Sequence, residues 1–234
     1  MRKRVFDVVV ICLAAVVWMP VVALSGLAVL IFSGRPIFYR SRRWVGAGTA
    51  IEMVKLRVMI RDANKVVAPI EAGRFLNTPA DSPLYTKVGR ILDGLGLNEI
   101  PQFVHVLKGE MSIVGARPLT DVVRDALMEQ HEELDGRWDT PAGLTGLPQL
   151  VGRQDLTDAQ RLHLEASYAR RTAATPSIRL DFMILLNTVL ITFGLRKPMT
   201  YDAALELVEG RKTRVRQLRA QSYPATAADA DAVA

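Results

Sequence analysis

The amino-acid sequence predicts an α+β fold, mostly helical: an N-terminal re-entrant membrane helix followed by a compact cytoplasmic domain with short strands and interfacial amphipathic helices. Three observations predict it. The run Val5 to Phe32 is apolar with Asp7 as its only charge, and basic residues lie on both sides of it. Behind it, apolar residues recur at helical spacing in short segments, as at Ile100, Phe103, Val104 and Leu107. Residues 51–57 alternate loosely, in the manner of a strand. With 234 residues, 50% of them hydrophobic and 23% charged, the chain is long enough for one domain with its own core, and wholesale disorder is excluded. The organisation read from this is an anchor with basic flanks (1–43), one domain (44–212) and a C-terminal tail (213–234), rich in Ala and Asp and expected to be disordered.

The anchor run is longer than the about 20 residues of a straight span and the about 7–15 of a secretory signal. Cleavage after Ser25 would leave it apolar for a further turn and more, which argues against a signal peptide. A tilted spanning helix remains, and so does a helix that enters, breaks and returns to the same face. Pro20, near the middle, favours the return, because it removes a backbone hydrogen bond and clashes with the preceding turn. So do the basic clusters on both flanks, since a spanning helix normally has them on one side. The net charge of +6 resides entirely in residues 1–43, which hold seven Lys and Arg and one Asp; the remainder balances. Positive charge that brackets an apolar segment suits an anionic lipid surface and argues against nucleic acid. The one cysteine, Cys12, excludes a disulfide framework.

Residues 34–40 read as a turn followed by a strand-like piece, and Trp44 to Thr49, rich in glycine, as a loop. In the strand at 51–57, Lys55 and Arg57 share a face. Residues 64–83 lack periodicity and read as a mobile loop over the site entrance. Residues 86–95 form a short helix stopped by Gly94 and Gly96. The stripe from Ile100 is a helix that Asn98 is placed to cap and Lys108-Gly109 ends. A solvated helix is expected over 121–134 and a shaped loop over 140–153. Thr157 to Gln160 has capping-box spacing and opens a helix to about Arg171. Leu180 to Leu195 is too short to span and reads as a core or interface helix.

For chemistry, Leu97-Asn98-Glu99-Ile100-Pro101-Gln102 stands out as a polar pair at a helix start, where backbone N–H groups favour phosphate. The plainer reading is that Asn98 caps and Glu99 complements the dipole. Lys55, Arg57, Lys108, Arg117 and Arg153 are candidates to face phosphates, or are ordinary surface charges. His105, His131 and His163 are scattered, and no zinc-site spacing occurs.

The order of these pieces is more specific than any one of them. Arg4-Val5-Phe6-Asp7, the proline-broken run, Lys55-Leu56-Arg57-Val58-Met59, LNEIPQFVHVLKGEMSIVGARP (97–118) and GLTGLPQLVGR (143–153) follow one another. Over roughly residues 2–198 this resembles the bacterial sugar transferases that load a sugar-1-phosphate onto a polyprenyl phosphate, the monotopic phosphoglycosyltransferases. It looks like the minimal form, without a four-helix membrane bundle ahead of residue 1.

The resemblance implies a re-entrant helix and an Asp-Glu dyad whose aspartate attacks the sugar-bearing phosphorus, releasing UMP, before polyprenyl phosphate takes the phosphosugar. It also implies Mg²⁺ on the diphosphate, a UDP-sugar, polyprenyl phosphate and membrane lipids as partners, and an inner-membrane site with the catalytic domain cytoplasmic. A second copy or downstream glycosyltransferases are the protein partners it admits. Here the dyad reads Asn98-Glu99, and the helix break is Met19-Pro20 where Ser-Pro is usual. Asp93 stands where an arginine is usual, and Glu110, Ala116 and Pro141-Ala142 are smaller departures; Lys55, Arg57, Glu99, Gln102, Lys108, Arg117, Pro118, Gly146, Gln149 and Arg153 match. Expected roles are Glu99 and Asn98 in catalysis, Glu99 on the metal, and Lys55, Arg57, Lys108, Arg117, Gln149 and Arg153 on phosphates. Glu99 supplies the nucleophile, or it holds Mg²⁺ while the acceptor attacks directly. The alternative is a catalytically silent relative that scaffolds a glycan-assembly complex.

Overall fold

The computed structural model describes residues 2–63, 81–130, 132–152 and 156–210. The expected loop at 64–83, for its larger part, the expected tail and Arg153 lie outside them. Helix α1 (Arg2–Ser33) is long and apolar enough to cross a membrane, and Pro20 lies inside it. Both of its ends pack on the same body. Near its start, Asp7, which is 2% exposed, accepts from Ser112 Oγ at 2.8 Å and from the Ile113 N–H, while Lys3 pairs with the buried Asp181 at 2.6 Å. Arg4 donates to the carbonyls of Val106 and Leu107. Near its end, Val29 is buried with Leu56, Val58 and Leu92, and Ser33 Oγ donates to Thr86 Oγ1 at 3.2 Å. Between these ends, residues 12–24 include no buried residue, and Leu13, Val16, Val17, Met19 and Leu24 are exposed.

Strands β1 (Phe38–Gly46) and β2 (Thr49–Leu56) form an antiparallel hairpin in which Lys55 faces Tyr39 in register. The expected loop at 44–49 is therefore corrected: the strands extend through it, and only Ala47-Gly48 turns. Aromatic and β-branched neighbours on a pleated surface outweigh the glycine content there. Helix α2 (Lys87–Gly94) is capped by Thr86, whose side chain accepts from the Gly89 N–H. A 3₁₀ turn, Leu97–Gln102, precedes helix α3 (Phe103–Lys108). Asn98 thus lies inside the 3₁₀ turn instead of capping a helix, because Pro101 and the left-handed Gly96 tighten the chain.

Strand β3 (Ser112–Val114) pairs in parallel with β4 (Gly143–Thr145), which the sequence reading took for loop. Glycine is required here. A Cβ at Gly143 would lie 2.1 Å from the Gly115 nitrogen, and one at Gly115 would lie 2.2 Å from the Pro141 carbonyl oxygen. Helix α4 (Asp121–Gln130) is followed by a second 3₁₀ turn, Glu132–Asp139, instead of one helix running to 134. Helix α5 (Leu147–Val151) is buried through Leu147, Leu150 and Val151. The capping box at Thr157 and Gln160 forms and opens α6 (Asp158–Thr172). Helix α7 (Ile178–Thr192) is at once a core and a surface helix: Leu180, Asp181, Ile184 and Asn187 are buried, and Phe182, Leu186 and Val189 are exposed. Helix α8 (Tyr201–Glu209), not expected from the sequence, closes the core through Ala204, Leu205 and Val208. The main core gathers Ile11 of α1, Val106, Met111, Val114, Leu150, Leu164 and Ile184.

Candidate active site

The 3₁₀ turn after α2 carries Glu99 against the hairpin, and the β3–β4 pair brings Arg117 and Pro118 beside Gly143 and Leu144. Together they form a cleft lined by Arg43, Met53, Lys55, Glu99, Gln102, Arg117, Pro118, Gly143 and Leu144. Its empty space is about 350 Å³, the open solvent at its mouth included. Arg117 Nη2 lies 3.7 Å from Glu99 Oε1, both side chains being partly exposed. Burial pushes the Lys55 ammonium down to about 8; Glu99 resists this, Arg43 and Arg117 add to it, and Asp93 resists it. Burial also lowers Arg43, with Arg117 pushing the same way and Tyr39 and Glu99 opposing. Three cations around one carboxylate make a cleft short of negative charge, suited to a polyanion such as a diphosphate.

Arg117 is held by its own backbone. Its N–H donates to Glu165 Oε1 at 2.9 Å, and its carbonyl accepts from Arg137 Nη2 at 2.6 Å. Arg137 and Glu165 pair with each other at 2.6 Å, their side chains 1% and 2% exposed. The strand that carries Lys55 is fixed as well. The Val54 N–H donates to His105 Nε2 at 3.1 Å, which leaves Nδ1 protonated toward Glu110 Oε2 at 2.6 Å.

Of the residues expected from the sequence, Glu99, Lys55 and Arg117 meet in this cleft, and Gln102, counted there only as a family match, joins them. Asn98 does not line it: the side chain is 1% exposed and its Nδ2 donates to Asp93 Oδ1 at 2.9 Å. Arg57 is turned away from it, donating through Nε to the Pro36 carbonyl at 2.7 Å and through Nη2 to the carbonyls of Ser33 and Gly34, where α1 ends. Lys108 is exposed at the last residue of α3, and Gln149 lies on α5 with Oε1 buried and without a hydrogen-bond partner. Arg153 lies outside the described residues.

Sequence reasoning missed Arg43, Arg137 and Glu165. Arg43 was counted among the basic flanks of the anchor; its position in a strand paired with the Lys55 strand was the available signal. Nothing in the local sequence marks Arg137 and Glu165, since their partner in each case is remote.

The chain matches the model of the family described as bacterial sugar transferase over residues 1–194. It is 33% identical over 195 residues to the exopolysaccharide production protein ExoY of Sinorhizobium fredii, covering 80% of this chain and 83% of that one. It is also 33% identical over 195 residues to the UDP-glucose:undecaprenyl-phosphate glucose-1-phosphate transferase of Caulobacter vibrioides, covering 81% and 68%. With the undecaprenyl-phosphate galactose phosphotransferase of Salmonella typhimurium it shares 29% over 180 residues, covering 72% and 36%. The match runs from the anchor through α7 and takes in every residue that lines the cleft, so the chain belongs to the bacterial sugar transferase family.

Proposed function

We propose that this cleft passes a sugar-1-phosphate from a UDP-sugar to undecaprenyl phosphate, the step that initiates an exopolysaccharide or related glycan. The chain is a phosphoglycosyltransferase associated with a membrane through α1. The observation that carries the site assignment is the meeting of Arg43, Lys55 and Arg117 around Glu99. The three cations receive the diphosphate and offset the charge that gathers on the leaving UMP. Glu99 attacks the phosphorus that bears the sugar; the bond to the UMP oxygen breaks, and the phosphosugar is left on the carboxylate. An oxygen of undecaprenyl phosphate then attacks that phosphorus and frees Glu99. UMP release without the lipid acceptor, in an amount equal to the enzyme, supports this two-step course. Release that requires the acceptor supports direct transfer, with Glu99 as a metal ligand.

Mg²⁺ is usually held by one or two carboxylates together with substrate phosphates and water. In the direct-transfer course Glu99, the one carboxylate lining the cleft among the described residues, would be the protein's ligand to such an ion, with the substrate phosphates supplying the rest. When bound, the ion neutralises the diphosphate. The assay that tests the function is UMP release by the purified protein with undecaprenyl phosphate and a panel of UDP-sugars including glucose and galactose. No release with any of them leaves the scaffold reading.

Lys55 gives the reaction a pH limb. Its ammonium attracts the diphosphate only while protonated, and its folded value is about 8. In the free enzyme kcat/KM is therefore full below that value and falls as pH rises through it. Lys55→Arg moves this limb beyond the working range. A parent profile that stays flat from about pH 7 to 9.5 removes Lys55 from substrate binding.

The anchor is read as re-entrant, with the catalytic domain at the cytoplasmic face of the inner membrane. The support is that residues 3–11 and 25–33 pack on one body, although 32 helical residues could extend about 48 Å, well beyond a bilayer core of about 30 Å. A helix that crossed would carry its two ends to opposite faces. The exposed apolar side chains of residues 13–24, with Phe182, Leu186 and Val189 of α7, are the surface for lipid. A cysteine at residue 2 should react with an impermeant reagent from the cytoplasmic side alone; labelling from the periplasm overturns the reading.

A further inference from the structure

Asn98 precedes the reacting carboxylate and yet does not line the cleft; its amide meets another acid. Its Nδ2 donates to Asp93 Oδ1 at 2.9 Å, and the Asn98 side chain is almost wholly buried. Asp93 lies near the end of α2, five residues upstream, and its Oδ2 accepts from the Tyr85 hydroxyl at 3.2 Å. The chain between them turns through Gly96 in the left-handed region, so this side-chain bond closes a short loop at the base of the turn that carries Glu99. Asn98 Oδ1 is buried without a hydrogen-bond partner, so these contacts hold the amide through its nitrogen. Flipping the amide would set two acceptors against each other.

The carboxylate at 93 thus demands a donor at 98. A carboxylate there would put two negative charges at hydrogen-bond distance, with little water to screen them. We propose that Asp93 and Asn98 act as one coupled pair: Asp93 is a positioning residue that fixes the turn bearing Glu99, and residue 98 must be an amide because residue 93 is an acid. Lys55 ties the pair to the cleft, since Asp93 and Glu99 both favour its charged form. The proposal rests on the reading of Glu99 as the reacting carboxylate.

The test compares the full-length parent, Asn98→Asp, and the exchange Asp93→Asn/Asn98→Asp, which keeps the total charge and a donor–acceptor pair while reversing its direction. Asn98→Asp should lower kcat by about tenfold or more with the UDP-sugar KM little changed, and lower the thermal midpoint; the exchange should recover most of both. Activity of Asn98→Asp equal to the parent overturns the proposal, as does an exchange no better than Asn98→Asp. If Asn98→Asp does not fold, the exchange decides alone: folded and active supports the pair, unfolded or inactive refutes it. If the parent releases no UMP, the proposed function fails, and the thermal midpoints of the three proteins still decide the pairing.

Discussion

Glu99→Gln should reduce UMP release by more than about 10³-fold, with the fold intact. An amide oxygen neither attacks phosphorus to give a stable intermediate nor binds Mg²⁺ well, so the loss is expected whether Glu99 is the nucleophile or the metal ligand. No second carboxylate lines the cleft among the described residues, and Asp93 is engaged by Asn98 and Tyr85. The stability cost should be small. Glu99 is partly exposed and lies 3.7 Å from Arg117 in a pair that solvent screens, worth about 0–1 kcal/mol. The loss should therefore appear in kcat at an unchanged thermal midpoint. A variant that retains a tenth or more of the parent rate removes Glu99 from the chemistry.

The split between what the sequence disclosed and what it withheld follows the range of the interactions. Capping and periodicity act within a turn or two, so the helix that begins at Thr157 and the apolar helix at 178–192 were legible, as was the anchor with its two basic flanks. The hairpin was half legible: residues 51–56 alternate, whereas Trp44 to Gly46 are drawn into a strand by a partner nearby in space. The β3–β4 pair was hidden because its strands are three residues long and almost thirty apart, and its glycines, read as loop signals, serve close backbone approach. Within the candidate site, Glu99, Lys55 and Arg117, expected from the order of motifs, line one cleft, a meeting that no single residue could have given. Arg57 could not be told from them. Its guanidinium is spent on the carbonyls where α1 ends, a tertiary contact that its place beside Lys55 conceals. Asp93 and Asn98 read along the chain as two separate departures from the family pattern; in space they are partners.

Glu165→Gln should cost about 3–5 kcal/mol of stability, the largest effect expected outside the cleft. For a chain of this size that lowers the thermal midpoint by roughly 6–20 °C. Glu165 pairs with Arg137 at 2.6 Å, and both side chains are all but inaccessible to water. Arg161, itself buried, also relies on Glu165 to offset the desolvation that lowers its pKa. An amide at 165 thus leaves the buried Arg137 guanidinium without its carboxylate and takes from Arg161 the stronger of the two carboxylates, Glu165 and Asp158, that offset its burial, which is far costlier than loss of a surface pair. The consequence reaches the cleft because Glu165 and Arg137 hold the N–H and carbonyl of Arg117. At temperatures where the variant remains folded, its UDP-sugar KM should rise if Arg117 meets the diphosphate as proposed, because the buried pair that holds the Arg117 backbone is disturbed. Arg137→Met combined with Glu165→Leu should recover part of the stability, the uncompensated charge at 137 being gone, without recovering the KM. A midpoint for Glu165→Gln within about 2 °C of the parent would show that the pair does not hold this end of the domain.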